Sequence, residues 1–404
     1  MKWLNWERLI LAASLFVAVF CLTLYTEHLW HEWRPIIHSQ SWRATRLTAP
    51  VAKDFPLHWT ASYLALAGEP TTIYHNARFK EAEQALTGLG GHPWPYPPTA
   101  LLIDLPLSLL PYFLALAAWL AVTMGLYLLV LYCIAPHPLT LLWSLAFFGT
   151  FENFYFGQNG FLSAAFIGGG LLLLDSSPFL GGALLGLLSY KPHLAALIPL
   201  ALLAGRRWRA LAGAAVAAAC LALVSLWAFP LEMWALFLHG IPHTMDRLYG
   251  QALWFYKMPT VFAAVRLAGG GVPAAWFGQG LAMAAAVILV VWLWRVPASP
   301  AERAAGLIMG ILLFSPHIWY YDLPLLAVPL AWLWWEGYRR GWLPLEQILL
   351  FWSWFLPLVS FFLSVELKWP TGPVYLIPLL ILVLRRLHGE RRQAAAKPGV
   401  TVIA

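Results

Sequence analysis

Charged residues are scarce in this 404-residue chain, because Asp, Glu, Lys and Arg make up only 11% of it while 61% is hydrophobic. Soluble domains carry about 25% charged residues, so the composition excludes an ordinary soluble enzyme or binding domain. The few charges still sum to a formal +7. Such an excess is typical of the basic cytoplasmic loops of membrane proteins and indicates no nucleic-acid partner.

Cysteines and metal-ligand patterns are also scarce. The three cysteines, Cys21, Cys133 and Cys220, all fall inside apolar runs. They are most simply small apolar core residues, so neither a disulfide framework nor a cysteine metal site is expected. No cluster of carboxylates has the spacing of metal ligands. We therefore expect no metal and no other cofactor.

Long apolar runs recur from Leu9 to Leu387. They are continuous rather than alternating, which excludes a membrane β-barrel and predicts an all-α, polytopic membrane protein. Arginine clusters, at 206–209, 295–303, 339–340 and 385–392, mark the cytoplasmic side together with both termini. We predict about twelve membrane helices, near residues 9–25, 112–134, 139–151, 160–174, 178–190, 192–204, 209–229, 275–294, 304–314, 321–336, 345–364 and 373–387.

The predicted organisation is one transmembrane domain, residues 1–390, followed by a disordered cytoplasmic tail, residues 391–404. Residues 26–97 form a large first outer loop. Two amphipathic stretches in it, one from Asp54 and one over 76–86, predict helices lying along the membrane interface. The glutamates of this loop are expected on a solvated face: Glu69, Glu81 and Glu83.

Ser189-Tyr190-Lys191-Pro192-His193 lies between the apolar segments 179–188 and 194–204. Each segment has roughly half of the ~20 residues that a full span needs. Non-helical backbone at this depth must be buried in protein or line a water-filled cavity, so the break predicts a cavity. An ionisable residue inside a membrane indicates a functional site. We expect Lys191 to face a negatively charged group.

The predicted topology brings the unusual polar residues to the outer side. The first loop, the segment 151–160, Lys191, the loop 230–274 and the segment around His317 all lie there. This convergence predicts an active site that faces outward.

Several of these residues have a structural alternative. Asp54 is also a suitable helix N-cap, and Tyr96 a suitable interfacial aromatic. Gln158 and Asn159 suit sugar hydroxyls, yet they could cap a helix that begins at Gly160.

The same choice applies to the acidic candidates and to His317. Glu152 is a possible second carboxylate near a donor, and His317 could be a satisfied interface histidine. Asp322 could hydrogen-bond His317 or Tyr320, while the sequence indicates no partner for Asp104.

A series of short motifs runs through the chain. It comprises Asp54-Phe55 with Trp59 and Ala61; Gly68, Pro70 and Tyr74; Tyr96-Pro97-Pro98; Pro106 and Leu110-Pro111-Tyr112; Gly157-Gln158-Asn159-Gly160; Gly181-Gly182 through Gly186 to Tyr190-Lys191-Pro192; Gly205-Arg206-Arg207-Trp208-Arg209; and Ser315-Pro316-His317 with Tyr321-Asp322. In this order and spacing, over residues 5–390, the chain resembles glycosyltransferase family 87, the polyprenyl-phosphate-mannose-dependent mannosyltransferases.

The resemblance implies a GT-C fold and a lipid-phosphate-linked sugar donor, with the active site on the periplasmic face of a bacterial inner membrane. It also implies an essential aspartate in the first outer loop, which is Asp54, and a histidine by the reaction centre, which is His317. The chain departs from the family at His193, where a glutamine is expected after Lys-Pro. Substrate contacts there are therefore expected to differ.

The residues fit this chemistry. A carboxylate such as Asp54 suits a general base for the acceptor hydroxyl, and a cation such as Lys191 stabilises the leaving phosphate. His193 is a further phosphate ligand, with one helper from Arg34, Arg43, Arg46, Arg247 or Lys257. The expected substrate-binding residues are Tyr96, Glu152, Gln158, Asn159, Tyr321 and Asp322. A single displacement inverts the anomeric carbon, so a β-linked donor gives an α-linkage to a lipid or glycan acceptor.

A lipid-linked sugar flippase or transporter is the main alternative. Such proteins often have internal repeats with broken helices in both halves. The sequence shows one such break, at Lys191, and the long outer loop is unusual for a carrier.

Overall fold

The computed structural model describes residues 6–28, 30–31, 52–89, 91, 93–250 and 254–395, and the regular structure of these residues is entirely helical. The α-helices are α1 (Trp6–His28), α2 (Phe55–Leu66), α3 (Asn76–Thr87), α4 (Pro98–Asp104), α5 (Tyr112–Ile134), α6 (Pro138–Leu145), α7 (Phe148–Phe156), α8 (Gly160–Leu173), α9 (Pro178–Leu187), α10 (Pro192–Ala195), α11 (Ile198–Ala204), α12 (Trp208–Ala228), α13 (Glu232–Gly250), α14 (Val261–Leu267), α15 (Val272–Arg295), α16 (Pro300–Phe314), α17 (Pro324–Arg340), α18 (Glu346–Leu367) and α19 (Leu376–Ala395).

Among the described helices, four are long and apolar enough to cross a membrane: α5, α12, α15 and α18. They have 21 to 24 residues each, and mean hydropathies of 1.9 to 2.3. Shorter apolar helices accompany them, including α8 and α9. The prediction of an all-helical membrane protein is thus confirmed, while the count of about twelve spans stays a prediction.

The helices differ in places from the predicted segments. The predicted span 139–151 is divided between α6 and α7, and 192–204 is divided between α10 and α11. The predicted loop 230–274 contains the 19-residue α13. At the carboxyl end α19 continues to Ala395, so the first five residues of the predicted tail are helical and the rest lies outside the described residues.

The turn between α7 and α8 meets the start of α2. The backbone N–H of Asp54 donates to the carbonyl oxygen of Phe156 at 3.1 Å. Gly157 follows with φ of 67°, and a Cβ there would lie 2.8 Å from the Cβ of Phe55. Because the left-handed backbone and this close approach both require glycine, Gly157 fixes the chain reversal beside Asp54.

Glycines let α9 pack closely against α12. A Cβ at Gly182 would collide with the carbonyl oxygen of Ala210, and one at Gly186 with that of Ala214. From the other side, a Cβ at Gly213 would collide with the carbonyl oxygen of Phe179. Small residues at helix interfaces permit this backbone contact in membranes. The contact fixes α9, which leads directly to Lys191.

The carboxyl-terminal end of α17 is held by a network of charged side chains. Arg386 of α19 donates to Glu336 of α17 at 2.7 Å and also to Glu346 of α18. Beside it lies a largely apolar cavity of about 480 Å³ between α6, α17 and α18, lined by Trp143 and Trp334 among others.

Candidate active site

Asp54 occupies the N-cap position of α2, as the structural alternative required, but its side chain makes no capping hydrogen bond. Instead, Oδ2 of Asp54 accepts a hydrogen bond of 3.0 Å from Nε2 of Gln158. The carboxyl group is only half-buried. It is therefore held in orientation while still open to a second partner.

Gln158 connects Asp54 to two buried rings. Its Oε1 accepts from the hydroxyl of Tyr96 at 3.2 Å and lies 3.4 Å from Nε2 of His58. Tyr96 is buried, and its carbonyl oxygen accepts from the hydroxyl of Tyr74 at 2.8 Å. Two of the predicted substrate-binding residues, Tyr96 and Gln158, thus lie in one network with the predicted base.

His58 and Asp104 complete this network. The sequence analysis did not single out His58, and it found no partner for Asp104. Nδ1 of His58 lies 2.8 Å from Oδ2 of Asp104, and both residues are buried. Burial by itself lowers the pKa of His58, but the Asp104 carboxylate, together with Gln158 and Asp54, raises the pKa above the usual value. A ring protonated on both nitrogens can donate to Asp104 and to Oε1 of Gln158, an arrangement in which the NH₂ group of Gln158 faces Asp54. His58 follows Asp54 by four residues, the spacing that places two side chains on one helix face.

Lys191 and Asp322 form a buried ion pair. Nζ of Lys191 donates to Oδ1 of Asp322 at 2.7 Å, and both residues are 1% exposed. Oδ2 of Asp322 accepts from the backbone N–H of Trp319 at 3.1 Å. The negative group that Lys191 faces is therefore Asp322, whose partners are Lys191 and Trp319 rather than His317 or Tyr320.

Aromatic rings join the two groups of residues. Nζ of Lys191 lies 5.9 Å from the ring centre of Tyr96 and 5.6 Å from that of Tyr321. These are distances at which a cation is attracted to an aromatic face. Since the hydroxyl of the same Tyr96 bonds Gln158, a chain of contacts runs from the Lys191 ammonium through Tyr96 and Gln158 to the Asp54 carboxylate.

His317 and His193 lie together beside this ion pair, with ring centres 5.5 Å apart. Nε2 of His317 accepts from Nε1 of Trp319 at 3.3 Å, so the proton of a neutral ring is assigned to Nδ1. Within the described part of the chain, Nδ1 of His317 and Nε2 of His193 are buried without a hydrogen-bond partner. A fully satisfied interface histidine is therefore not what the structure shows at position 317.

The other predicted residues lie close by. Asn159 is buried at the N-cap position of α8 without capping it, and its Oδ1 lacks a partner among the described residues. Glu152 is buried in α7, with no hydrogen bond to a described residue. Lys257 lies on the ring of Phe156. Residues 32–51, which hold three of the arginine helpers, and the side chain of Arg247 lie outside the described residues.

Glu83 does not lie on a solvated face, because it is 1% exposed and its Oε2 accepts from the backbone N–H of Gly91 at 3.1 Å. It bonds backbone of the loop that leads to Tyr96. Phe79 of α3 is fully buried, and it lies in the stretch 76–86 that was predicted to be amphipathic.

The ring of His317 gives a pH dependence that can be measured. Burial, and then Lys191, lower its pKa to about 4, although Asp322 opposes them. The pKa of a histidine in the unfolded chain is about 6.5, so between pH 6.5 and pH 4 the unfolded state binds the proton and the folded state does not. The free energy of unfolding is therefore highest above pH 6.5 and decreases as the pH falls toward 4. Between pH 7 and pH 5 we expect the wild-type melting temperature to fall by at least about 2 °C more than that of His317→Gln. An equal change of melting temperature in the two proteins would contradict the lowered pKa of His317.

Comparison with known proteins gives one match. The model of glycosyltransferase family 87 matches residues 94–316, which is more than half of the chain. The matched region includes Tyr96, Gln158, Lys191 and His193, and it ends immediately before His317. No curated protein and no solved structure matches the chain. Because this match covers more than half of the chain, the protein belongs to glycosyltransferase family 87 and is a glycosyltransferase.

Proposed function

We propose that the chain is an inverting hexosyltransferase that moves mannose from a polyprenyl-phosphate donor to a lipid or glycan acceptor. The observation that carries this proposal is one accessible carboxylate, Asp54, and one buried ammonium, Lys191, connected through Gln158 and Tyr96. A displacement at a sugar carbon needs a base on the attacking side and a cation on the leaving side. Asp54 and Lys191 supply these two groups.

Asp54 acts as the general base. One of its carboxylate oxygens accepts from Gln158, which leaves the other for the acceptor hydroxyl. As that oxygen attacks the anomeric carbon, its proton passes to Asp54, and the bond from the carbon to the phosphate oxygen breaks with inversion. His58 and Asp104 hold Gln158 in the orientation that this step needs.

Lys191 binds the leaving phosphate. An ammonium has three N–H donors, and the bond to Asp322 uses one of them. The remaining donors are available to phosphate oxygens. The Nδ1–H of neutral His317 is a further donor, and His193 lies beside it. No metal or other cofactor enters the proposed step, since cationic and neutral donors receive the phosphate charge.

The sugar lies between these two ends. We propose that Tyr96 and Tyr321, whose rings flank Lys191, contact its faces. Asn159, with an amide oxygen that lacks a partner among the described residues, and Glu152 bind its hydroxyls.

The proposed setting is a GT-C fold with about twelve spans, in a bacterial inner membrane. Both termini are cytoplasmic and the site is periplasmic. Support comes from the arginine clusters of the sequence and from four helices of spanning length among the described residues.

The test is transfer by the purified protein in liposomes with extracted membrane lipids as acceptors. We expect radiolabelled mannose to move from polyprenyl-phosphate-mannose but not from GDP-mannose, and the product of a β-linked donor to be α-linked. A β-linked product would contradict the single displacement. No transfer from mannose or glucose donors, together with movement of the lipid-linked sugar across the bilayer, would favour the flippase alternative.

A further inference from the structure

The largely apolar cavity of about 480 Å³ between α6, α17 and α18 takes no part in the proposed reaction. The described residues that line it include none of the candidate active site. Helix α17 contributes Ala327, Leu330, Ala331, Trp334 and Tyr338, and steps of three and four residues place side chains on one helix face. The segments 139–147 and 347–354 line the cavity with the same spacing. The cavity therefore runs along the helices.

One end of the cavity is closed and the other is open. Along α17 the exposed fraction rises from 6% at Ala327 and 7% at Leu330 to 54% at Tyr338. Phe147, which also lines the cavity, is fully buried. The cavity is thus closed at Ala327 and opens at Tyr338, in the last turn of α17. Asp322, by contrast, precedes the first residue of this helix.

The length of the cavity matches one leaflet of a bilayer. At 1.5 Å per residue, Ala327 and Tyr338 lie about 16 Å apart along α17. Half of the hydrocarbon core is about 15 Å thick. Helix α18, one of the described helices of spanning length, lines the cavity with its first half, 347–354. Tyr338 and Trp342 lie at the open end, as aromatic residues do at a membrane interface.

Two arginines lie at this open end. Arg339 directly follows Tyr338, and its guanidinium carbon is 5.9 Å from the ring centre of Trp335. Arg385 donates to the carbonyl oxygen of Pro344 at 2.7 Å. Pro344 belongs to the short segment 342–347, and both ends of this segment line the cavity. The two guanidinium groups are therefore at the level where a lipid headgroup would lie.

Neither arginine has a counter-ion within the described part of the chain. The two glutamates at this end, Glu336 and Glu346, are both bonded to Arg386 instead. Arg339 and Arg385 form no ion pair with a described residue. Basic residues at a membrane surface attract lipids with anionic headgroups. A lipid without net charge would leave both guanidinium groups uncompensated.

We propose that this cavity binds one acyl chain of an anionic phospholipid, whose phosphate lies on Arg339 and Arg385. The lipid comes from the leaflet at the arginine-bearing end, which the sequence predicts to be cytoplasmic. A water-soluble ligand would have to bury polar groups against an apolar wall, which is unfavourable. The lipid is a resident component of the protein and not a substrate, so the site does not depend on the proposed transferase function.

The test is photolabelling of the full-length protein in neutral detergent micelles. Phosphatidylglycerol with a diazirine in one acyl chain is compared with phosphatidylcholine that has the same chains, and labelled peptides are identified by mass spectrometry. We expect phosphatidylglycerol to label 139–147, 327–342 and 347–354 at a lower concentration than phosphatidylcholine. In Arg339→Gln/Arg385→Gln, half-maximal labelling should need about 10- to 30-fold more phosphatidylglycerol, while labelling by phosphatidylcholine stays unchanged.

Arg209→Gln/Arg295→Gln is the matched control. It removes two exposed arginines of the same predicted side from α12 and α15, which do not line the cavity, and it should label like wild type. Ala331→Phe places a ring in the cavity and should abolish labelling of the three segments by both lipids. If this variant does not fold, the wild-type label map and the arginine variant decide the question.

Three outcomes would overturn the proposal. Label outside the three segments in wild type would show that the acyl chain lies elsewhere. Equal labelling of wild type and Arg339→Gln/Arg385→Gln by phosphatidylglycerol, or no preference over phosphatidylcholine, would remove the anionic headgroup. Displacement of the label by polyprenyl phosphate at a lower concentration than by unlabelled phosphatidylglycerol would assign the cavity to the donor chain.

Discussion

Asp54→Asn is expected to lower sugar transfer by about 10²- to 10⁴-fold, the contribution typical of a general base. Asparagine keeps the size of the side chain and an oxygen that can accept the hydrogen bond from Gln158. The position of the side chain should therefore survive while its basicity is lost. Transfer from polyprenyl-phosphate-mannose and donor binding are measured on the same purified protein, and donor binding should stay near the wild-type value.

Glu69→Gln is a suitable control for this variant. Glu69 is an exposed carboxylate three residues after α2 ends at Leu66, and its change to glutamine removes the same charge as Asp54→Asn. Its transfer rate should equal that of wild type. An Asp54→Asn protein that transfers at more than a tenth of the wild-type rate would show that another group accepts the proton.

Breaking the pair between Lys191 and Asp322 should have the largest effect on stability. Removing one member of a buried ion pair leaves an uncompensated charge and typically costs about 3–5 kcal/mol. We expect Lys191→Met and Asp322→Leu each to lower the unfolding temperature in detergent markedly. The double variant Lys191→Met/Asp322→Leu leaves no charge unpaired, so its stability should recover toward wild type.

Transfer separates the structural role of this pair from its proposed catalytic role. If Lys191 also binds the leaving phosphate, the double variant should fold yet remain inactive. Activity near that of wild type in a folded double variant would contradict the phosphate role. A double variant as unstable as either single variant would show that the loss arises from packing rather than from an unpaired charge.

The pairing of buried charges shows what could be predicted from the sequence. The short apolar segments around Lys191 predicted a helix break and a buried cation that needs an anion, and both are present. The partner, Asp322, lies 131 positions away along the chain. Hydropathy gives the cost of burying a charge, but only tertiary packing decides which carboxylate compensates it.

Local signals explain the remaining differences. His58 could have been recognised from its four-residue spacing to Asp54, whereas its bond to Asp104 joins segments 46 residues apart. The break between α6 and α7 falls at Ala146 and Phe147, where neither proline nor glycine marks it. A continuous apolar run therefore predicted a single span. Composition was enough to predict that this segment is helical, but it did not predict that the helix is interrupted.

The glycine contacts between α9 and α12 restrict how sequences of this kind can diverge. Positions 182, 186 and 213 admit no side chain, because backbone of the facing helix already occupies the space of a Cβ. A substitution at one of them cannot be compensated by changing a neighbouring side chain, since the obstacle is a carbonyl group. The contact between α9 and α12, and with it the path of the helix that leads to Lys191, is therefore kept only while these three positions remain glycine.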